Sequence, residues 1–232
     1  MKLSDLHRRL LAAVLDIGAP YPLVITGGYA VQAHGLVERL SQDLDVATEN
    51  PAPMAEIVTS LEQGLAERGW RVRVIDVDAL MARLVVVDPA TGEECEVDVL
   101  KEHFWAPPAR TEYGPVLAFD SVIGTKVRAL ADRGAVRDLI DVHAASRHRT
   151  INELERLGER HGRDEFRLHD LRDRLAGADW ADDAEFAAYG LTEAETAELR
   201  AWALGWAGDL DERLHEQDVD DEVDEEWGQE GA

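Results

Sequence analysis

Two neighbouring stretches decide the fold of this 232-residue chain: Leu23-Val-Ile-Thr-Gly-Gly-Tyr-Ala30 and Arg39-Leu-Ser-Gln-Asp-Leu-Asp-Val-Ala-Thr48. In the first stretch an apolar run ends in a glycine pair, which predicts a short buried strand that turns into a helix. In the second stretch two aspartates stand two positions apart in a strand-like pattern. Because residues i and i+2 of a strand point to the same face, we expect Asp43 and Asp45 to present their charges together.

The paired carboxylates predict a metal site. Two adjacent carboxylates repel each other unless a cation lies between them, so Asp43 and Asp45 suggest a clamp for a divalent ion. Gly27 and Gly28 lie just upstream, where they leave backbone N–H groups open to phosphate oxygens. Together the two stretches indicate a site for Mg²⁺ and a nucleotide.

A third carboxylate occurs on a later strand. Between Glu94 and Leu100 acidic residues alternate with apolar ones, which predicts a strand with one acidic face and one buried face. A solvated edge face is the plain alternative. Asp98 is flanked by Val97 and Val99, in a setting where a charge is costly without a cation. Asp98 is therefore our third candidate for a metal ligand or a catalytic base.

Composition excludes several classes of protein. The apolar content of 45% is ordinary for a globular domain, and no apolar run approaches the roughly 18 residues that a membrane span needs. The N-terminal residues carry mixed charges where a secretory signal would have an apolar block, so we expect a cytoplasmic protein. Cys95 is the single cysteine and cannot form an internal disulfide. The ligand spacing of zinc sites and the Gly-x-Ser-x-Gly pattern of serine hydrolases are absent from the sequence.

The formal net charge of −24 is spread unevenly. Residues 176–232 contain 2 Lys/Arg and 19 Asp/Glu, a net charge of −17, whereas residues 120–175 contain 12 and 11. A strongly acidic surface opposes nonspecific binding of nucleic acid, while the Arg-rich middle leaves room for a local basic groove. The sequence is therefore compatible with a nucleic-acid acceptor, although its charge does not indicate one.

The hydrophobic periodicity predicts an α/β (α+β) fold, with a small, mixed, twisted sheet flanked by helices and followed by a helical C-terminal part. We divide the chain into a core over residues 1–119, a helical domain over 120–215 and an acidic, disordered tail over 216–232. Residues 83–87 and 94–100 are expected to form a hairpin. The last predicted helix ends at Leu214, and its apolar stripe is interpreted as core packing: Leu199, Trp202, Trp206, Leu210 and Leu214.

The order of these motifs resembles a known class of enzymes. A Gly-Gly pair, an Asp-x-Asp pair and a third carboxylate on a later strand are similar to the nucleotidyltransferase superfamily related to DNA polymerase beta. Two signatures further resemble the AbiEii/AbiGii-type nucleotidyltransferases, an abortive-infection toxin family. They are Arg39-x-Ser41-x-Asp43-x-Asp45 and Lys126-(x)6-Arg133-Gly134-(x)2-Arg137-Asp138-(x)2-Asp141. The resemblance extends over residues 23–148.

The resemblance implies an enzyme that transfers a nucleoside monophosphate from a nucleoside triphosphate to an acceptor hydroxyl, with release of pyrophosphate. Asp43, Asp45 and Asp98 would hold one or two Mg²⁺ or Mn²⁺ ions, and Asp98 would also help to deprotonate the acceptor. The other implied residues bind the nucleotide or close a cleft from the helical side: Gly27, Gly28, Arg39, Ser41, Lys126, Arg137, Asp138 and Asp141.

Several functional alternatives remain open. The resemblance covers a toxin of a toxin–antitoxin system, with tRNA or another RNA as acceptor and a cognate antitoxin as partner. It also covers a transferase for antibiotics or other small molecules, and a non-catalytic domain that binds a nucleotide or a partner. The charged residues of the second signature could equally form an ordinary ion-paired junction between two helices: Arg133, Arg137, Asp138 and Asp141.

Overall fold

The computed structural model describes residues 2–39, 41–162 and 166–229, with only the backbone described over 217–229. The chain divides into two compact units, Met1–Val122 and Ile123–Ala232. Each unit is described by itself below. No helix within the described ranges is long and apolar enough to cross a membrane.

The first unit contains a sheet and three complete helices in its described part. Their bounds are α1 Asp5–Ile17, β1 Val24–Ile25, α2 Gly27–Ala33, β2 Leu44–Thr48, α3 Met54–Glu67, β3 Arg71–Val77, β4 Met81–Val87, β5 Glu94–Lys101, β6 Ala109–Thr111 and β7 Gly114–Val116. Helix α4, Phe119–Arg133, begins in this unit and continues into the second.

The second unit is helical. After α4 it contains α5 Val136–Ala145, α6 Ile151–His161, α7 Leu168–Ala176, a 3₁₀ turn at Gly177–Asp179, α8 Asp183–Ala188 and α9 Glu193–Gln229. The N-termini of α6 and α8 are capped by Thr150 and Asp182, whose side chains accept hydrogen bonds from backbone N–H groups of the first turn.

The sheet has the strand order β3-β4-β5-β2-β1-β7-β6. It is mixed, because β2 pairs with β5 and β1 with β7 in parallel, while the other neighbours pair antiparallel. The predicted α/β fold class and the predicted β4–β5 hairpin are confirmed. Strands β6 and β7 were not predicted, since three residues each are too few to show a periodic pattern.

One face of the sheet carries the core of the first unit. Along β5, Cys95, Val97 and Val99 are buried, whereas the acidic residues between them are more accessible. Helices α1 and α3 contribute buried leucines to the same core, among them Leu10 and Leu61. The alternation of β5 therefore places its carboxylates on the face opposite to this core.

Helix α9 differs from its prediction in length. Four members of the predicted stripe are buried, as expected for a core-packing surface, while Trp202 is half-buried: Leu199, Trp206, Leu210 and Leu214. The helix continues to Gln229, so the segment predicted to be disordered from residue 216 is helical as far as that residue. Glutamate has a good helix propensity and the segment has no proline, which allows the helix to continue. The last three residues lie outside the described part of the chain.

The three-part division of the chain stays a prediction. The two structural units meet inside α4, between Val122 and Ile123, close to the boundary that we placed after residue 119. A turn signal could not have located this boundary, because the chain passes it without leaving the helix.

Candidate active site

The glycine pair lies where β1 turns into α2. Gly27 has a φ of 57°, in the left-handed region that favours glycine. A Cβ atom on Gly27 would overlap the carboxylate of Asp45. The backbone at Gly27 therefore approaches Asp45 more closely than any other residue type would allow.

Gly28 makes a second close approach. A Cβ atom on Gly28 would lie 2.5 Å from Ser41 Oγ and 3.8 Å from Arg39 Nη1. The structure thus brings the glycine pair together with Arg39, Ser41 and Asp45, all of which we predicted as site residues. Their roles in binding phosphate stay predictions.

Tyr29 holds the loop that carries Ser41. Its hydroxyl donates a hydrogen bond to the backbone oxygen of Ser41 at 3.3 Å and also contacts Nδ1 of His7. Burial raises the pKa of Tyr29 and lowers that of His7, so the phenol keeps its proton and the imidazole is neutral at pH 7. Sequence reasoning missed both residues, since an aromatic residue after a glycine pair is typical of core packing.

The carboxylates of the first unit converge through strand pairing. Asp45 on β2 is the register partner of Asp98 on the parallel strand β5, and Asp43 immediately precedes β2. Register partners are direct neighbours on one face of a sheet, about 5 Å apart. The structure therefore brings together Asp45 and Asp98, which are far apart in sequence, and places Asp43 two residues from this pair.

Arg83 is a component of this site that we did not predict. Its Nε donates to Asp98 Oδ1 at 2.9 Å and its Nη2 to Asp98 Oδ2 at 2.7 Å, and Nη1 lies 3.1 Å from Glu96 Oε1. The hydrogen bonds to Asp98 raise the pKa of Arg83, and the charge of Asp43 acts in the same direction. The one signal in the sequence is that Arg83 is the only charged residue in the apolar strand Met81–Val87.

The fit of a divalent ion to these residues is incomplete. Among the residues that the structure describes, no group of three or more His, Cys, Asp or Glu side chains is arranged to hold a metal ion. Asp43 and Asp45 supply the carboxylate oxygens that Mg²⁺ and Mn²⁺ prefer. Both oxygens of Asp98 accept a hydrogen bond from Arg83, which leaves this carboxylate only its remaining lone pairs for an ion.

Four residues of the second signature form a network around two buried aspartates of the second unit: Lys126, Arg133, Asp138 and Asp141. Lys126 Nζ lies 3.2 Å from Asp138 Oδ1 and 2.9 Å from Asp141 Oδ2. Arg133 makes two further bonds to Asp138, at 2.7 and 3.0 Å. Both aspartates are almost fully buried, while Arg137 is half-buried on α5. The structure thus brings Lys126, Asp138 and Asp141 together, while their roles at a nucleotide stay predictions.

The network governs the ionisation of Asp138. Burial by itself raises the pKa of this carboxyl, but the charges and hydrogen bonds of Lys126 and Arg133 outweigh burial and lower it. The arrangement matches the ion-paired helix junction that we considered as an alternative. A role in nucleotide binding, for which these residues would have to face the first unit across a cleft, stays a prediction.

The fold is that of nucleotidyltransferases. The structure is similar to JHP933 from Helicobacter pylori, with 20% identity, a TM-score of 0.53, and coverage of 94% of this chain and 99% of the other. It is also similar to MenT4, a nucleotidyltransferase toxin from Mycobacterium tuberculosis, with 19% identity, a TM-score of 0.59 and coverage of 88% and 82%. Among curated proteins, none matches the sequence.

The family follows from the sequence itself. The model of the nucleotidyl transferase AbiEii toxin family, of type IV toxin–antitoxin systems, matches residues 9–210. The chain belongs to this family, so the predicted family and the predicted enzyme class are confirmed. Membership implies a nucleoside triphosphate as substrate and an antitoxin as the counterpart of this chain.

Proposed function

We propose that this toxin transfers a nucleoside monophosphate from a nucleoside triphosphate to a hydroxyl group of an RNA, with a divalent cation at Asp43 and Asp45. The observation that carries the proposal is the close packing at the glycine pair. The backbone of Gly27 lies against the carboxylate of Asp45, and the backbone of Gly28 lies against the hydroxyl of Ser41. Bare backbone N–H groups and carboxylates at one point are what a metal-bound triphosphate requires.

The nucleotide would be bound by the first unit through its phosphates. The N–H groups of Gly27 and Gly28 and the hydroxyl of Ser41 are donors at the required place, and Arg39 adds a positive charge beside them. A Mg²⁺ or Mn²⁺ ion held by Asp43 and Asp45 would neutralise charge on the triphosphate. The Tyr29 bond to the Ser41 backbone fixes the loop before substrate arrives.

Asp98 would act on the acceptor. One of its oxygens takes the proton of the acceptor hydroxyl, whose oxygen forms a bond to the α-phosphorus while the bond to pyrophosphate breaks. The bidentate bond from Arg83 orients this carboxylate. From the second unit, Lys126 and Arg137 would add positive charge around the phosphates, with Asp138 and Asp141 holding Lys126 in place.

Two observations on charge bear on the acceptor. Residues 120–175 contain 12 Lys/Arg against 11 Asp/Glu, so this segment escapes the acidity of the rest of the chain and leaves room for a local basic groove that would bind a polyanionic acceptor such as tRNA. The overall net charge of −24 instead favours a small or uncharged acceptor, such as an antibiotic hydroxyl. The small-molecule acceptor is therefore the second candidate.

The decisive experiment incubates the protein with each labelled nucleoside triphosphate and Mg²⁺ or Mn²⁺ in the presence of total RNA, cell protein and a panel of small molecules. We expect label on RNA. Label confined to a small molecule would replace the RNA acceptor by the second candidate, and no label on any acceptor would contradict catalysis.

The Asp45→Asn variant tests the site within this assay. We expect at least a 10³-fold loss of transfer, because a ligand to the cation is removed at the point of phosphate binding. Glu62→Gln, on the exposed side of α3, is the matched control and should leave transfer unchanged. Near-wild-type turnover by Asp45→Asn would overturn the assignment.

A further inference from the structure

The first unit contains a cavity that the proposed reaction does not use. Its volume is about 620 Å³, within the range of sites that enclose small organic molecules. Apolar side chains form most of its wall, among them Leu15 at the end of α1, Leu23 before β1 and Phe104 after β5. A cavity of this size and composition can bury the apolar part of a small ligand.

The cavity and the glycine pair lie at opposite ends of the same two strands. Leu23 and Val24 line the cavity, and from there the chain runs along β1 to Gly27. The antiparallel strand β2 runs in the other direction, from Asp45 to the cavity wall at Thr48. The described residues that line the cavity include none of those assigned to the nucleotide or the cation. The cavity is therefore a separate site.

The chemistry of the wall disfavours an anionic ligand such as a nucleotide. Among the described residues that line the cavity there is no lysine or arginine. Three lining residues, Pro22, Pro108 and Pro115, are prolines and have no backbone N–H group to donate to an anion. The charged side chain of the wall is Glu49, which is acidic. The wall therefore favours a cation.

Glu49 keeps one carboxylate oxygen available. Its Oε1 accepts a hydrogen bond from the backbone N–H of Phe104 at 2.5 Å and lies 2.8 Å from Nδ1 of His103. Within the described part of the chain, Oε2 makes no such contact, and the side chain is 42% exposed. In contrast, the Thr48 hydroxyl and the Asn50 amide oxygen already bind backbone groups of the protein. The bonds to Oε1 thus hold the carboxylate while Oε2 can accept from a ligand.

We propose that this cavity binds a small organic cation, in which one ammonium group is joined to an apolar body. The ammonium donates a hydrogen bond to Oε2 of Glu49, and the apolar body packs against Leu23, Phe104 and the prolines of the wall. Burial of the apolar body drives binding, and Glu49 selects the charge. The inference goes beyond the proposed function and depends on neither the nucleotide nor the divalent cation.

Binding of 4-phenylbutylamine to the full chain tests the site by a ¹H–¹⁵N NMR titration without nucleotide or metal. The uncharged 4-phenylbutan-1-ol has the same apolar body and is the matched ligand. We expect saturable binding of the amine with a Kd on the order of 1 mM, and binding of the alcohol about fivefold weaker. Shifts that rise without saturation would overturn the inference, because a net charge of −24 attracts any cation weakly. Equal affinities would replace the cation by an uncharged apolar ligand.

Two variants locate the binding within the cavity. Glu49→Gln should weaken binding of the amine about fivefold and leave the alcohol unchanged, because only the charge is removed. Glu62→Gln, on the exposed side of α3, changes the net charge equally and should alter neither ligand. Ala19→Phe, at an exposed position of the wall, should weaken both ligands at least fivefold, because the ring occupies the cavity. Equal effects of the two glutamate variants, or no effect of Ala19→Phe, would show that the ligand binds elsewhere.

Discussion

At Gly27, two separate constraints exclude every other residue type. The backbone φ of 57° costs an L-residue energy, and the space that a Cβ would take belongs to the carboxylate of Asp45. Gly35 has the first constraint without the second, because its φ is 73° and no atom would lie within 4 Å of its Cβ. A comparison of substitutions at Gly27 and Gly35 therefore distinguishes the effect of backbone strain from the effect of displacing Asp45.

This contrast yields a prediction for alanine variants. Gly35→Ala should lower the free energy of unfolding by about 1–2 kcal/mol and leave transfer intact. Gly27→Ala should cost roughly 2–4 kcal/mol, because the new methyl displaces Asp45 as well, and it should abolish transfer. Urea unfolding and the transfer assay measure the two effects. If both variants lost the same stability and retained the same transfer activity, the close contact between Gly27 and Asp45 would not be needed for function.

Single residues also mark the limit of what the sequence predicts. Asp98 was predictable, because a carboxylate inside an apolar alternation stands out locally. Arg83 was not predictable, because a single arginine in a strand is usually an exposed cation and its cross-strand partner is not visible in the sequence. Tyr29 was hidden for the opposite reason: its burial is ordinary, and only the bond to Ser41 reveals its position beside the site.

Among the elements, β2 and β5 decide the geometry of the site. Both strands were predicted from their alternation, but their parallel pairing was not, because some 50 residues and two other strands separate them in the chain. Register between distant strands follows from the order of the whole sheet, which local patterns do not contain. The convergence of Asp45 and Asp98 therefore required the structure.

The junction of α4 and α5 gives a prediction about pH. Asp138 is fully buried between Lys126 and Arg133, so Asp138→Asn removes one of the carboxylates that pair with buried Lys126, which keeps Asp141, and should cost roughly 2 kcal/mol at pH 7. The pKa of Asp138 in the folded protein is lowered from 3.8. Its stabilisation is therefore fully present above pH 3.8 and is lost as the pH falls through the lowered value.

Chemical unfolding of wild type and Asp138→Asn at several pH values measures this effect. The difference between the two proteins should be constant above pH 4 and should shrink as the solution is acidified further. Asp170→Asn, an exposed change on α7, is the matched control and should show little difference at any pH. If the difference in free energy of unfolding between wild type and Asp138→Asn increased on acidification, the pKa of Asp138 could not be lowered in the folded protein.

For the whole molecule, acidity concentrated in the C-terminal segment is the main feature. Removing residues 216–232 deletes nine Asp/Glu and no Lys/Arg, and the cut leaves the buried Leu199, Trp206, Leu210 and Leu214 of α9 in place. We expect tighter binding of an RNA homopolymer at low salt, with an unchanged free energy of unfolding, because long-range repulsion falls. Filter binding at two salt concentrations measures the change.

Charge and chain length are separated by a second variant. Replacing the Asp and Glu residues of 216–226 by Asn and Gln keeps the length of the segment but removes most of its charge. This variant should bind RNA nearly as tightly as the truncated chain. If only the truncation strengthens binding, the segment acts by covering a surface, and the charge explanation is wrong.

Strand β3 forms one edge of the sheet, and this position affects how copies of the protein associate. It exposes Val74, Ile75 and Val77, and an edge strand offers its outer backbone groups to any passing chain. Arg71 and Arg73 precede these apolar residues and Asp76 lies among them, and such charges on an edge strand disfavour pairing with another chain. At high concentrations of this toxin, the same charges would disfavour edge-to-edge pairing of β3 strands from neighbouring copies and so limit aggregation.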